Sequence, residues 1–142
     1  MTGTHDRDLI ETSLALAAER GGDLTPLVYA RLFAAQPQLE RLFWRDRDGK
    51  IKGEMLAHAL GAILDFVGER HYADHLIASS AQIHTEYDVP PDVFRTFFPV
   101  VAATIAELLG AAWTAETAAA WARLLVQIDA CASSPQSAPA AR

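Results

Sequence analysis

The sequence predicts an irregular all-α fold. Three observations lead there. Apolar residues recur at helical spacing through most of the chain, no stretch alternates as a strand would, and Pro or Gly interrupts the pattern at unequal intervals. Such unequal lengths, about seven to eight helices in all, fit an irregular helical fold better than an up-down four-helix bundle.

The first helix should run from about Asp8 to Arg20, with Leu9, Ile10, Leu14, Leu16 and Ala17 on or near its inner face, and stop at Gly21-Gly22. Thr25-Pro26 starts the second, a capping hydroxyl followed by proline at the first helical position. Leu24, Leu27, Val28, Leu32 and Phe33 then recur at helical spacing, which puts Tyr29 and Phe33 one turn apart on one side. Gln36-Pro37 breaks that helix and opens a short one from Gln38 to Phe43, and Trp44 to Gly49 forms a charged loop. A long helix from about Ile51 to Val67 carries Leu56, Leu60, Ile63, Leu64 and Val67 as an apolar stripe. After a break at Gly68-Glu69-Arg70, the next helix covers about Tyr72 to Thr85. Pro91 opens another long one, Asp92 to Leu109, which Gly110 ends. Thr114 caps the last helix, which reaches about Cys131 through Trp121, Leu124, Leu125 and Ile128. The ordered domain is expected over 1–131. Residues 132–142, mostly Ala, Ser and Pro, cannot bury enough apolar surface to order and are expected to be a disordered tail.

Composition narrows the function classes. A chain of 142 residues, 51% hydrophobic, suits a single domain with one core. No uninterrupted apolar run approaches the roughly 20 residues of a membrane span. The N-terminal residues Met1 to Asp8 show no basic stretch leading into an apolar one, so a secretory signal is not expected. Cys131 stands alone, which excludes a disulfide framework or a cysteine metal cage within one chain and fits the reducing cytoplasm. A net charge of −6 argues against nucleic acid and anionic membrane as partners.

One stretch then draws the chemistry together. The helix bearing Leu76, Ile77, Ser80 and Ile83 ends at His84, just before a short polar connection and Pro90-Pro91. At about 100° per residue, His75 faces the opposite side of that helix, His71 precedes it, and His58 lies about 200° round from Leu56, away from the apolar stripe. His5 sits in the frayed N-terminus. A lone histidine at a helix end can simply cap the C-terminus, where a cation is favoured. With no cysteine pair and no Glu-x-x-His, a metal held by His84 would need its other ligands from a cofactor, and haem brings four nitrogens.

Several motifs at matching separations carry a resemblance. Leu27-Val-Tyr29-Ala-Arg-Leu-Phe33, Pro37-Gln-Leu-Glu-Arg-Leu-Phe43, Ile83-His84 with the Pro91 helix, and Gly110-Ala-Ala-Trp-Thr114 are similar to the globins. The pattern most resembles bacterial single-domain haemoglobins and the haem domain of flavohaemoglobins, over about residues 8 to 131. The resemblance implies a globin fold, a 3-over-3 helical sandwich, around a b-type haem. It implies His84 as the proximal iron ligand, Phe43 as the phenylalanine wedged against the haem, Tyr29 as the distal hydroxyl donor and Leu56 as the distal leucine, with Phe97 and Phe98 as further haem contacts. Lys52 falls where the family usually has glutamine. The preceding loop is one residue shorter than usual, so Gly53 competes for that position. A solvated Lys52, or one reaching a haem propionate, is expected rather than one in the pocket or ligating ferric iron. Two departures stand out. The tyrosine and glutamate that give the proximal imidazole anionic character in flavohaemoglobins correspond here to Phe94 and to a position near Gln136, with no acid available.

Reversible binding of oxygen or another diatomic ligand is therefore the expected function. Nitric oxide dioxygenation with a separate reductase is the enzymatic alternative, since no reductase domain occurs in the sequence. A haem-based sensor, or a haem-free interaction module on the same fold, is the alternative of another class. Oligomeric state is open.

Overall fold

The structure is a computed structural model and describes residues 4–87 and 89–133. Seven α-helices and two 3₁₀ segments build it, and no strand occurs among the described residues. In order these are α1 (Thr4–Gly21), α2 (Thr25–Ala35), a 3₁₀ segment (Pro37–Phe43), α3 (Lys50–Val67), α4 (Ala73–Glu86), α5 (Pro91–Phe94), α6 (Phe97–Leu109), a 3₁₀ turn (Gly110–Ala112) and α7 (Ala115–Ser133).

The helices form two layers of three. In one, α3 packs against both α1 and α4; in the other, α6 packs against both α2 and α7. Between layers α1 crosses α6 and α7, α2 crosses α3, and α4 crosses α7. Ile10, Val28, Ile63, Ile105, Trp121 and Leu124 are fully buried at the centre. Burying each such side chain contributes about 1.5–3 kcal/mol relative to exposure. Gly21 packs tightly beneath α6: a Cβ there would stand 2.9 Å from Leu108 Cδ1. One buried polar pair joins α7 to α1. Trp121 Nε1 donates to Ser13 Oγ at 2.9 Å, and that hydroxyl donates to the Ile10 carbonyl at 2.7 Å.

Local chemistry sets the ends of the helices. Thr114 Oγ1 accepts from Thr117 N–H at 3.1 Å, the capping bond expected at the start of α7. Asp65 starts α4 from the preceding helix, its carboxylate accepting from the N–H groups of His71, Tyr72 and Ala73. Thr25 departs from expectation: the cap position falls at Leu24, and the Thr25 hydroxyl donates to Asp23 at 2.7 Å. The acid two residues upstream is the stronger acceptor.

Other expectations need correcting. The helix foreseen over Asp92 to Leu109 is two helices, α5 and α6, broken at Arg95-Thr96. Pro99 explains the break, because it has no N–H for the Arg95 carbonyl and its ring crowds that carbonyl. Thr96 stabilises the corner, donating to the Val93 carbonyl at 2.6 Å and accepting from Gln36 Nε2 at 2.9 Å. The segment Pro91–Ala112, with a mean hydropathy of 1.5, is long and apolar enough by composition to cross a membrane, although Asp92, Arg95 and Glu107 interrupt its apolar run. Here its Phe98, Val101 and Ile105 are buried between helices. Leu64, assigned to the inner stripe of α3, is 44% exposed. α1 begins at Thr4 rather than Asp8, and α7 continues through a buried Ala132 to Ser133. The rest of the expected tail, with Gln136, lies outside the described residues.

Candidate functional site

A cavity of about 540 Å³ opens between α3 and α4 and runs in to α6. Its lining is overwhelmingly apolar, as a slot for a flat organic cofactor requires. From α4 come Ile77, Ser80, Ile83 and His84; from α3 come Ile51, Met55, Ala59 and Ala62. Tyr29, Phe43, Phe97 and Phe98 also line it.

His84 sits in the last turn of α4, and its ring is half-buried. Its Nδ1 lies 2.7 Å from the Ser80 carbonyl. A carbonyl only accepts, so Nδ1 carries the proton and donates, and Nε2 is left with a free lone pair. Phe94 lies alongside, its ring centroid 5.0 Å from that of the imidazole. As an aromatic hydrocarbon it offers His84 no hydrogen bond, so among the described residues the Ser80 carbonyl is the hydrogen-bond partner that orients the ring.

Tyr29 is 2% exposed on α2, within an aromatic cage. Phe33, Phe43 and Phe97 stand 5.8, 5.6 and 5.7 Å away, centroid to centroid. The cage holds the phenol without satisfying it: Tyr29 Oη is the one buried side-chain polar atom among the described residues with no hydrogen-bond partner. Burial, with a smaller push from the Asp46 carboxylate, raises the phenol well above its ordinary pKa. Tyr29 is therefore a neutral donor waiting for an acceptor.

The α3 wall differs from expectation. Its cavity stripe is Ile51, Met55, Ala59 and Ala62, whereas Leu56 is buried in the core and neither it, Lys52 nor Gly53 lines the cavity. Gly53 instead faces α2, where a Cβ would meet Thr25 Oγ1 at 3.9 Å. Lys52 is partly exposed and engaged in an ion pair. Its Nζ pairs with Asp46 Oδ2 at 3.2 Å and lies 5.4 Å from the centroid of the Phe43 ring. His58, expected to face away, does line the cavity, at its exposed edge. The reason is that α3 carries two apolar faces about a third of a turn apart, and the more regular one packs into the core.

Asp46 is the residue that sequence reasoning missed. Its side chain is 1% exposed and lines the cavity, although it lies in what read as a charged loop. It accepts from Ile51 N–H at 2.8 Å and Lys52 N–H at 3.0 Å, which anchors the first turn of α3. Burial opposes its charge, but these donors and the Lys52 ammonium outweigh that and hold the carboxyl below the usual range. An acid shortly before Gly49, which takes a left-handed φ of 75°, was the available signal for a helix start.

The other imidazoles form no second centre. His71 and His75 are four residues apart, but His71 precedes α4 and pairs with Glu69 at 3.1 Å. No group of three or more metal-ligating side chains exists among the described residues.

A flat cofactor that supplies its own equatorial ligands fits what is present: one imidazole with Nε2 free, an apolar slot, and an orphaned donor. In the comparisons with known proteins, no solved structure matches the chain. A family model does match, described as Globin, over residues 27–130, from the first turn of α2 almost to the end of α7. With two layers of three helices around that slot, the chain belongs to the globin family, whose members bind haem and, through it, diatomic gases such as oxygen.

Proposed function

We propose that this chain binds oxygen reversibly at a b-type haem held by His84, with Tyr29 as the distal donor, in the manner of bacterial single-domain haemoglobins. The observation that carries the reading is the 2.7 Å contact of His84 Nδ1 with the Ser80 carbonyl, which leaves Nε2 as the one unprotonated nitrogen of the ring. When bound, the haem supplies a ferrous iron that takes a diatomic ligand. The protein's residues do the rest. Ser80 orients the imidazole and keeps its tautomer. Ile77, Met55 and Ala59 line the slot with apolar surface and exclude water. Phe43, Phe97 and Phe98 give a flat ring aromatic surfaces to pack on. Tyr29 offers Oη–H to a ligand that has gained negative charge, a hydrogen bond of about 1.5–3 kcal/mol.

Among the described residues no acid stands against His84, and Phe94 packs at its side, a setting that suits ligand binding over oxidative chemistry. Nitric oxide dioxygenation would draw on the same Tyr29 donor. It needs a separate reductase to restore the ferrous state. A lone Cys131 suits a reducing compartment, and the cytoplasm is the proposed location.

The test is reconstitution of the purified chain with haem b. The wild type should show a Soret band and bind oxygen reversibly. His84→Gly should lose the band and regain it on addition of imidazole, with helical circular dichroism unchanged. A His84→Gly protein that keeps the wild-type spectrum without imidazole refutes the assignment.

A further inference from the structure

Two charged residues are buried among the described residues, Asp6 and Asp46, and their surroundings differ. Asp6 is closed off by both prongs of the Arg123 guanidinium, at 2.7 and 2.8 Å. Asp46 is open on one side. Its side chain is 1% exposed and lines the cavity, while its counter-ion stands behind it: the Lys52 side chain is 22% exposed and does not line the cavity. The other donors to Asp46 are the backbone N–H groups of Ile51 and Lys52, which favour its ionised form without adding a net charge. The remaining titratable side chains on the cavity are Arg45, His58 and Tyr87 at exposed positions, the half-buried His84, and Tyr29. Asp46 is thus the buried charge that the slot meets.

An ion pair in this orientation does not cancel at the slot. Water screens a charge near the surface far more than a buried one, so the Lys52 ammonium is damped while the Asp46 carboxylate acts through low-dielectric protein. The pair is formally neutral, yet its negative end dominates on the cavity side. The Tyr29 phenol responds to it, since the carboxylate adds to burial in raising its pKa. Tyr29 and Asp46 then divide the work. The hydroxyl offers a directional bond to a ligand carrying partial negative charge, and the carboxylate opposes a ligand that carries a full one.

We propose that Asp46 is a specificity-determining residue that presents a fixed negative charge to the slot and selects uncharged ligands over anionic ones. The selection belongs to the cavity wall and holds with or without a cofactor; its bearing on a ligand of iron rests on the haem reading. There the same charge favours the more positive ferric state and disfavours an anion bound to it. Lys52 is a positioning residue, and removing it unmasks the carboxylate, so substitutions at the two positions act in opposite directions. A carboxylate that served only to anchor the first turn of α3 would instead give losses from both.

Two dyes, anionic anilinonaphthalene sulfonate and uncharged Nile red, read the charge by fluorescence in the haem-free full chain. Loss of both in Ala59→Trp, which fills the cavity, marks the slot as their site. Asp46→Asn keeps an oxygen to accept from the Ile51 N–H and should bind the anionic dye about fivefold tighter. Lys52→Met should bind it about fivefold weaker, and Lys52→Arg, which keeps the charge, should restore wild-type affinity. Nile red affinity should stay within about twofold in all three. In the haem-loaded chain, Asp46→Asn should tighten azide binding to the ferric form. It should also raise the ferric/ferrous midpoint by about 40 mV, the equivalent of fivefold at about 59 mV per tenfold for one electron, and Lys52→Met should lower it. Anionic-dye affinity that moves the same way in Asp46→Asn and Lys52→Met, or stays within about twofold in both, overturns the proposal. If Asp46→Asn loses both dyes, the wall has collapsed and Lys52→Met decides: selective weakening of the anionic dye upholds the proposal, and unchanged affinity overturns it. A chain that takes up no haem yet shows the opposite dye shifts refutes the haem reading and leaves the selectivity of Asp46 standing. A chain that takes up haem with dyes and midpoint unmoved refutes the selectivity alone.

Discussion

Replacing Tyr29 with phenylalanine should move two measurements in opposite directions. In the ligand-free chain the Tyr29 hydroxyl is buried without a partner, while its ring is held by Phe33, Phe43 and Phe97. The substitution keeps the ring and removes only the unsatisfied oxygen. An orphaned buried donor costs about 1–3 kcal/mol, so the ligand-free Tyr29→Phe chain should be more stable by about 1–2 kcal/mol. In a chain of this size that raises Tm by about 3–8 °C. On the proposed reading, the same hydroxyl is the donor to bound oxygen in the haem-loaded chain. Losing a hydrogen bond of about 1.5–3 kcal/mol should speed oxygen release about 10–100-fold. Because burial lifts the phenol pKa above its ordinary value near 10, the group stays protonated and wild-type release should be flat from about pH 6 to 9. Circular dichroism melts of the haem-free proteins and stopped-flow oxygen release read the two arms. A haem-free Tyr29→Phe protein less stable than wild type would show that the hydroxyl already has an acceptor. Unchanged oxygen release would show that it does not reach the ligand.

Two further outcomes follow from buried polar pairs. Ser13→Ala leaves Trp121 Nε1 without its acceptor inside the core and should destabilise the chain by about 1–3 kcal/mol in urea denaturation, without shifting the Soret band. A midpoint equal to wild type would mean that the indole finds another acceptor. Asp46 has a folded pKa below its unfolded value, so its contribution to stability is present above the ordinary carboxylate range near pH 4 and is lost as pH falls through the folded value. Asp46→Asn should therefore reduce the slope of stability against pH in the acid range. An unchanged slope would assign the acid sensitivity to the other carboxyls held low, Asp6, Asp23, Asp65, Asp74 and Asp129.

Much of the fold was legible because its signals are local. Gly21-Gly22 and Thr114 mark helix ends through backbone freedom and a hydroxyl acceptor, and both act within a few residues. His84 was separable from His75 because angular position along one straight helix needs no tertiary information. The break before α6 was readable in principle from Pro99, whose missing N–H has consequences four residues upstream. It was passed over because the apolar pattern from Phe94 to Leu108 continues across the corner, held there by the bond from Gln36 to Thr96, sixty positions apart in sequence.

What periodicity could not settle was the rotation of α3. One residue of register turns a helix by about 100°, enough to exchange a cavity face for a packing face. The Leu56, Ile63 and Val67 stripe is the more regular one because it meets other helices, while the cavity face is interrupted by His58 and two alanines. Asp46 decides between them. By accepting from the first N–H groups of α3 and from Lys52 Nζ, it anchors the helix with Lys52 turned to the loop and Ile51 and Met55 turned to the slot. The consequence is chemical. An aliphatic chain and a thioether supply no strong hydrogen-bond donor, and His58 stands at the exposed edge of the α3 wall, so on the proposed reading Tyr29 is the buried donor on which ligand stabilisation depends. A pocket that placed Lys52 there instead would add a second cation-capable donor and blunt the effect of Tyr29→Phe. The size of that one substitution therefore measures the rotation of α3 as well as the role of the tyrosine.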